Sequence, residues 1–205
     1  MLFDLASLPD RDRYKLLVAC IVPRPIAWVV TLSKEGAINA APYSFFNAMS
    51  SDPPIVAIGI GTRPSGNLKD TGANIRETHQ FVVNLVNFDN ADAMNQTAYD
   101  HPPGVNELEH AGLTTLPSTH VRPPRIAESP VAMECEHVQT IDIGPERAIV
   151  LGRVLAMHID DSAVMDPARC YIDTPKLDLI GRMHGAGWYA RTTDRFELKR
   201  LKDPG

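Results

Sequence analysis

The chain has 205 residues, of which 44% are hydrophobic and 22% are charged, and its formal net charge is −5. This length and composition are typical of one globular domain that buries a sizeable core without metals or disulfides. The negative net charge argues against a general nucleic-acid surface, which needs clustered Lys and Arg. The three cysteines are odd in number and widely spaced, which favours free thiols in a reducing compartment. We find no signal-peptide pattern and no apolar stretch of membrane-spanning length, so we expect a cytoplasmic protein that does not enter a membrane.

The first predicted elements are a helix and three strands. Residues 8–20 predict a short helix, which the prolines that follow bring to an end. The β-branched run 26–32, a Gly-containing turn and the stretch that starts at Ala37 predict a β-hairpin. Residues 55–61 predict a third strand, and their nearly continuous apolarity predicts burial on both faces.

The middle of the chain predicts helices around one further strand. A helix is expected over residues 68–79, with Asp70 or Thr71 as its N-cap, and a strand follows over 81–86. A second helix is expected over 91–99. The proline-rich excursion 101–128 is longer than an ordinary connection, which favours a functional flap or an interface arm.

The second half of the chain predicts mainly strands. Residues 131–143 and 147–159 read as two long strands, and a turn or short helix follows near 160–167. Because strands outnumber helices and several hairpins are evident, we expect one domain over residues 1–205 that is mainly β, a barrel with helical insertions. Neither GxGxxG after the first strand nor GxxxxGK[ST] is present, which removes the main support for a dinucleotide Rossmann or a P-loop protein.

The stretch 39–54 is unusually rich in small residues, hydroxyls and carboxamides for a strand between two apolar strands. This mixture favours a strand edge where backbone approaches a flat ligand with polar edges. The candidate hydrogen-bonding side chains are Asn39, Ser44, Asn47, Ser50 and Ser51, and the candidate apolar floor is Pro42, Phe46 and Met49. The alternative is an ordinary strand that ends in a Ser-Asp-Pro-Pro turn.

A second constellation lies at the predicted loop-to-helix junction, where Arg63 precedes Lys69-Asp70-Thr71. Unpaired backbone N–H groups, the helix dipole, a hydroxyl and one or two cations together make an anion site, for which a phosphate monoester is the natural ligand. The alternative is a plain helix cap beside a solvated lysine.

A third constellation is the segment 182–189, in which glycines and aromatic residues surround His184. A histidine that titrates near neutrality could orient or protonate a bound group, whereas the alternative is a glycine-rich turn with a surface histidine. Metal and hydrolase sites have little support. Cys135-Glu136-His137 has no second ligand pair at zinc-like spacing, and a GxSxG elbow is absent.

An ordered set of motifs resembles the FMN-binding flavin reductase-like family, the flavoredoxin group of the split-barrel flavoproteins. The motifs are Pro-Arg-Pro-Ile-Ala-Trp-Val from residue 23, Asn-Ala-Ala-Pro-Tyr-Ser-Phe-Phe-Asn from 39, Ser-Ser-Asp-Pro-Pro from 50, Lys-Asp-Thr from 69, Asn-Ile from 74, Phe-Val-Val-Asn from 81 and Gly-Arg-Met from 181. The resemblance implies a six-stranded antiparallel Greek-key barrel that binds FMN at a homodimer interface, with 101–128 at the dimer contact or the mouth of the site. It implies that the flavin ring and ribityl chain are bound by Asn39, Ala40, Ala41, Pro42, Tyr43, Ser44, Asn47, Met49, Ser50 and Ser51. It implies that the phosphate is bound at Arg63, Lys69, Asp70 and Thr71.

The function that the resemblance implies is an FMN-dependent oxidoreductase. NADH or NADPH would deliver hydride to the flavin, and the reduced flavin would serve an acceptor or a monooxygenase partner. Arg24 and His184 are the candidates for steering the nicotinamide or its phosphates. Two alternatives stay open: a flavoredoxin-type electron carrier without its own NAD(P)H activity, and a non-redox binder or hydrolase on the same barrel.

Overall fold

The computed structural model describes residues 1–61, 69–99, 105–144 and 147–199. Within these ranges the α-helices are α1 (Asp10–Cys20), α2 (Asp70–Thr78), α3 (Ala91–Gln96) and α4 (Glu107–His110), with 3₁₀ turns at Leu5–Ser7, Asp161–Ala163, Pro167–Arg169 and Thr174–Leu177. The strands are β1 (Arg24–Pro25), β2 (Ala27–Leu32), β3 (Ile38–Tyr43), β4 (Phe46–Ser51), β5 (Pro54–Gly61), β6 (Gln80–Leu85), β7 (Thr115–Leu116), β8 (Arg125–Ile126), β9 (Val131–Gly144), β10 (Arg147–Ile159), β11 (Val164–Asp166), β12 (Tyr171–Ile172), β13 (Ile180–Arg182) and β14 (Tyr189–Arg191). None of the helices in these ranges is long and apolar enough to cross a membrane.

The main sheet is antiparallel and runs in the order β3-β2-β6-β9-β10-β5-β4. Its two outermost strands, β3 and β4, are separated in the chain by Ser44 and Phe45 alone, so the sheet has to curve until its edges meet. Across this junction the Gly59 amide of β5 donates to the Phe45 carbonyl at 2.7 Å. Counted with β3 and β4 as one bent strand, the sheet is a six-stranded antiparallel barrel. The predicted fold class is confirmed.

The barrel interior is an apolar core to which β2, β3, β5, β6, β9 and β10 all contribute. Its buried members are Ala27, Val29, Tyr43, Val56, Ile58, Ile60, Ile75, Phe81, Val83, Met133, Cys135 and Val150. Phe81 is fully buried, and a Cβ built on Gly152 would lie 2.3 Å from its Cζ atom. Such a distance is far inside van der Waals contact, so position 152 has to be glycine for this ring to fit.

The outer face of the barrel carries a second apolar layer. Met94 of α3, Leu108 of α4 and Ile126 of β8 pack there in one buried cluster with Trp28. The indole N–H of Trp28 donates to Thr97 Oγ1 at 2.8 Å. Helices and short strands therefore cover β2 and its neighbours from outside, as expected for helical insertions on a barrel.

The excursion between β6 and β9 belongs to this outer layer. Its residues 105–128 lie against the chain's own barrel, and Glu134 of β9 holds them by accepting the backbone amides of Thr119 and His120 at 2.8 and 2.5 Å. Residues 101–104 of the excursion lie outside the described residues. A role of this segment in a dimer contact or at the mouth of a site stays a prediction.

A small sheet of β1, β13 and β14 adjoins the barrel. Arg24 of β1 is 6% exposed, and its guanidinium donates to the carbonyls of Val18, Ile21 and Met183 at 2.9, 2.6 and 2.9 Å. These three bonds tie the end of α1 to the loop that follows β13.

Several predicted elements need correction. The single stretch 39–54 is two strands on opposite edges of the sheet, since the chain bends at Ser44 and Phe45. β5 is not buried on both faces: Val56, Ile58 and Ile60 are buried while the residues between them are partly exposed, because only one face of β5 lines the barrel interior.

The predicted helix starts and ends are also shifted. Lys69, not Asp70 or Thr71, is the N-cap of α2, because its backbone is still extended (φ −61°, ψ 151°). Helix α3 ends at Gln96 rather than at Tyr99. The predicted hairpin β2–β3 is confirmed as an antiparallel pair, and the two long predicted strands are β9 and β10, which also pair antiparallel.

Candidate functional site

A cleft of about 80 Å³ brings together two of the three constellations that the sequence predicts. Strand β3 forms one side of it and the start of α2 forms another. The lining residues are Asn39, Ala41, Pro42, Tyr43, Lys69, Asp70, Thr71, Thr97, Ala98, Tyr99 and Glu107. Residues up to 68 positions apart in the chain, from Asn39 to Glu107, thus converge on one site.

Hydrogen bonds between polar side chains join both β2 and β3 to α2. Asn39 Nδ2 donates to Thr71 Oγ1 at 2.9 Å, and Asn74 Nδ2 donates to Thr31 Oγ1 at 3.0 Å. Thr71 is 1% exposed. Because Thr71 Oγ1 accepts from Asn39, the hydroxyl proton of Thr71 is left to donate to another group.

The start of α2 has the properties of an anion site. Lys69 lines the cleft, and no side chain of the N-cap residue caps the helix. The first backbone N–H groups of an α-helix have no partner within the helix, and the helix dipole makes this end positive. Lys69, the Thr71 hydroxyl and these amides supply donors of the kind that bind a phosphate monoester, although the carboxylate of Asp70 offsets part of the charge.

The sequence analysis does not predict four of the residues that line the cleft. Thr97, Ala98 and Tyr99 follow α3, and Glu107 is the first residue of α4. Glu107 Oε2 accepts the backbone amide of Ala40 at 3.0 Å. No local pattern marks these residues, because the contacts that place them in the cleft are made with distant parts of the chain.

Ala40 belongs to the predicted set but does not line the cleft. Its side chain is fully buried in the outer apolar layer, and only its amide faces Glu107. Ser44 lies in the bend between β3 and β4 and is not a lining residue either. Arg63 lies outside the described residues.

The predicted residues of β4 also lie apart from the cleft. Asn47, Met49, Ser50 and Ser51 are exposed on this edge strand. Asn47 Oδ1 accepts the amide of Ala48 at 2.8 Å, which is a local contact. Their part in ligand binding stays a prediction.

The third constellation is a hairpin tip on the small sheet. His184 stacks on Trp188 with ring centroids 6.0 Å apart and an interplanar angle of 12°, and both side chains are exposed. Gly185 in this tip has a φ of 64°, a conformation that glycine adopts without strain. His184 does not line the cleft. Arg24, the other predicted catalytic residue, is buried beneath the tip and bonded to backbone carbonyls, and burial lowers its pKa.

The buried cysteine of the Cys-x-His pattern has an ordinary structural environment. Burial, and to a lesser degree Glu134, raises the pKa of Cys135 to about 12, so its thiol stays protonated at neutral pH. His137 stacks instead on His79, with ring centroids 5.4 Å apart. No group of three or more metal-binding side chains occurs among the residues that the structure describes.

Comparison with known proteins assigns the chain to a family. The model of the flavin reductase like domain matches residues 19–174. An uncharacterized protein of Deinococcus radiodurans is 46% identical over 203 residues, which are 97% of this chain and 89% of the relative.

Two solved structures are similar over nearly the whole chain. Nitrilotriacetate monooxygenase component B from Bacillus cereus superposes with a TM-score of 0.90 at 33% identity, covering 97% of this chain and 98% of its own. The 2-nitrobenzoate 2-nitroreductase NbaA of Pseudomonas fluorescens gives a TM-score of 0.89 at 35% identity, with full coverage of both chains. The barrel is thus of the split-barrel type found in flavin reductase-like proteins, and the chain belongs to the flavin reductase-like family.

Proposed function

We propose that the protein binds FMN in this cleft and acts as an oxidoreductase that takes hydride from NADH or NADPH. The observation that carries the proposal is the convergence of β3 with the uncapped start of α2 in one cleft. Similarity to a protein named as a monooxygenase component supports a monooxygenase partner, and similarity to a nitroreductase supports direct transfer to an acceptor.

The donors of the cleft fit FMN at its phosphate end. Lys69, the Thr71 hydroxyl and the first amides of α2 would bind the phosphate, and Asn39 fixes Thr71 in place for this contact. The strand from Asn39 to Tyr43 would run beside the chain and the ring of the flavin. When bound, FMN supplies the hydride and electron chemistry, and the protein supplies binding, orientation and electrostatics.

The nicotinamide would be steered by the hairpin tip. His184 and Trp188 present a flat, exposed pair of rings, which is suited to stack on a planar ligand. Arg24 is 6% exposed, and both of its Nη atoms donate to backbone carbonyls, so it is poorly placed to meet such a ligand. We therefore assign Arg24 a positioning role: it holds the Met183 carbonyl at the base of the tip.

A homodimer would give the β4 residues a place in the site. Four large apolar side chains are exposed to solvent on α1 and near β4: Phe45 (48%), Met49 (57%), Tyr14 (57%) and Leu17 (42%). Exposed apolar side chains that lie together favour a protein–protein contact. Tyr14 and Phe45 lie with ring centroids 6.3 Å apart, so α1 adjoins the bend that precedes β4. If a second copy of the chain covered this surface, β4 of one protomer would lie near the cleft of its partner.

Light scattering tests the homodimer. The wild-type protein should give twice the chain mass of 22.5 kDa, and Met49→Asp should shift the measured mass towards that of the monomer. A monomeric wild-type protein would contradict the dimer.

Anaerobic reduction of the purified protein tests the proposed activity. The FMN-loaded protein should lose its yellow colour on addition of NADH or NADPH, and ultrafiltration shows whether the reduced flavin stays bound. Reduction only by dithionite or by a partner reductase would instead identify an electron carrier. A colourless protein that does not bind added FMN would refute both activities.

A further inference from the structure

Glu107 is a buried carboxylate, and among the described residues it accepts a hydrogen bond at one of its two oxygens. The residue is 9% exposed, and its Oε2 accepts the Ala40 amide at 3.0 Å. Within the described part of the chain, Oε1 receives no hydrogen bond, yet the residue lines the cleft. Among the described residues, Oε1 is not one of the fully enclosed polar atoms that lack a partner, so it is open to the cleft and can accept a hydrogen bond from a ligand there.

The position of Glu107 along the cleft indicates which part of a ligand it meets. It is held at Ala40, the residue next to Asn39, and Asn39 is bonded to Thr71 at the anion site. Tyr43 lies three residues further along β3, about 10 Å away at the rise of an extended strand. Glu107 therefore lies beyond the anion site, on the side that leads to Tyr43.

The charge of Glu107 excludes a second anionic group at this point. A carboxylate accepts hydrogen bonds and repels a phosphate, so the ligand group next to it has to be a donor that is either cationic or uncharged, and FMN offers only uncharged donors. In FMN the segment between the phosphate and the ring is the ribityl chain, which carries hydroxyl groups. Resting on the proposed function, we propose that Glu107 Oε1 accepts a hydrogen bond from a ribityl hydroxyl and thereby fixes the direction of the flavin in the cleft.

A binding cycle between protein and ligand tests this contact. Wild type and Glu107→Gln are titrated with FMN and with a phosphopentyl flavin, which keeps the ring and phosphate but lacks the chain hydroxyls. Glutamine can still accept the Ala40 amide, while the bond to the hydroxyl loses its charge. Because charge-assisted bonds are roughly twice as strong as neutral ones, FMN affinity should fall about fivefold and affinity for the phosphopentyl flavin should stay constant.

Matched variants separate binding from folding. Glu109→Gln removes a charge from the same short helix at an exposed site and should leave both affinities unchanged. The Ala40 amide resonance and the melting temperature report whether Glu107→Gln keeps the local fold. If it does not fold, Glu107→Asp is taken through the same cycle.

Equal loss of both affinities in Glu107→Gln would overturn the inference, since a ring contact or a purely structural role has that effect. Unchanged or tighter FMN binding by Glu107→Gln would also overturn the inference. Failure of the wild-type protein to bind either flavin would instead refute the proposed function itself.

Discussion

Substitution of Lys69 by alanine tests the anion site at the start of α2. Lys69 lines the cleft beside Thr71, and a hydrogen bond to a charged group contributes about 1.5–3 kcal/mol. Lys69 is only partly buried, so we take the lower end of this range, which corresponds to about tenfold weaker FMN binding at 1.4 kcal/mol per factor of ten. Riboflavin lacks the phosphate, and its affinity should not change.

The assay is titration by flavin fluorescence quenching or calorimetry at low ionic strength, where exposed charges are least screened. Lys34→Ala is the matched control: Lys34 is 73% exposed and forms a 3.5 Å ion pair with Glu77 away from the cleft. FMN affinity should stay within about twofold of wild type in that variant. Unchanged FMN affinity in Lys69→Ala, or an equal loss for FMN and riboflavin, would refute the phosphate site.

Three further substitutions test the core, the buried acid and the hairpin tip. Gly152→Ala should lower stability by about 1–3 kcal/mol in thermal unfolding, because the added methyl group overlaps a buried ring, whereas Gly144→Ala, which has open space, should be neutral; equal melting temperatures would contradict this packing. Burial raises the pKa of Glu134, but hydrogen bonds from two backbone amides and from a histidine outweigh it and hold the pKa below the usual 4.5. The stability that Glu134 contributes is therefore present above pH 4.5 and is lost as the pH falls through the lower folded-state pKa. In urea unfolding, the difference in free energy of unfolding between wild type and Glu134→Gln should therefore narrow below pH 4.5. A difference that does not change with pH would contradict this role of Glu134. His184→Ala should slow reduction by the nicotinamide more than it weakens FMN binding in stopped-flow experiments, and an unchanged reduction rate would remove His184 from the mechanism.

Local patterns predict those parts of the fold that depend on neighbouring residues. The hairpin of β2 and β3 follows from a β-branched run and a glycine turn, and the long pair β9–β10 follows in the same way. The candidate anion site, which stays a prediction, is also local, because Lys69 and Thr71 lie at one helix start. These features need no knowledge of the distant chain.

The remaining features depend on contacts between distant residues. Composition alone does not reveal that the stretch from Asn39 divides into opposite edges of one sheet, since this follows from closure of the barrel. Glu107 reaches the site through an amide 67 residues away, and Arg24 is buried through a carbonyl 159 residues away. The sequence alone predicts that Arg24, a charged residue between two prolines, is exposed and available to a ligand. Its burial follows only from the distant parts of the chain that cover it.

A crystal structure of the protein with FMN tests the central claim most directly. We expect the phosphate at the N-terminus of α2, within hydrogen-bond distance of Thr71 Oγ1, and the ribityl chain beside Glu107. A flavin phosphate that lies elsewhere, for example against the hairpin tip at His184, would contradict the account.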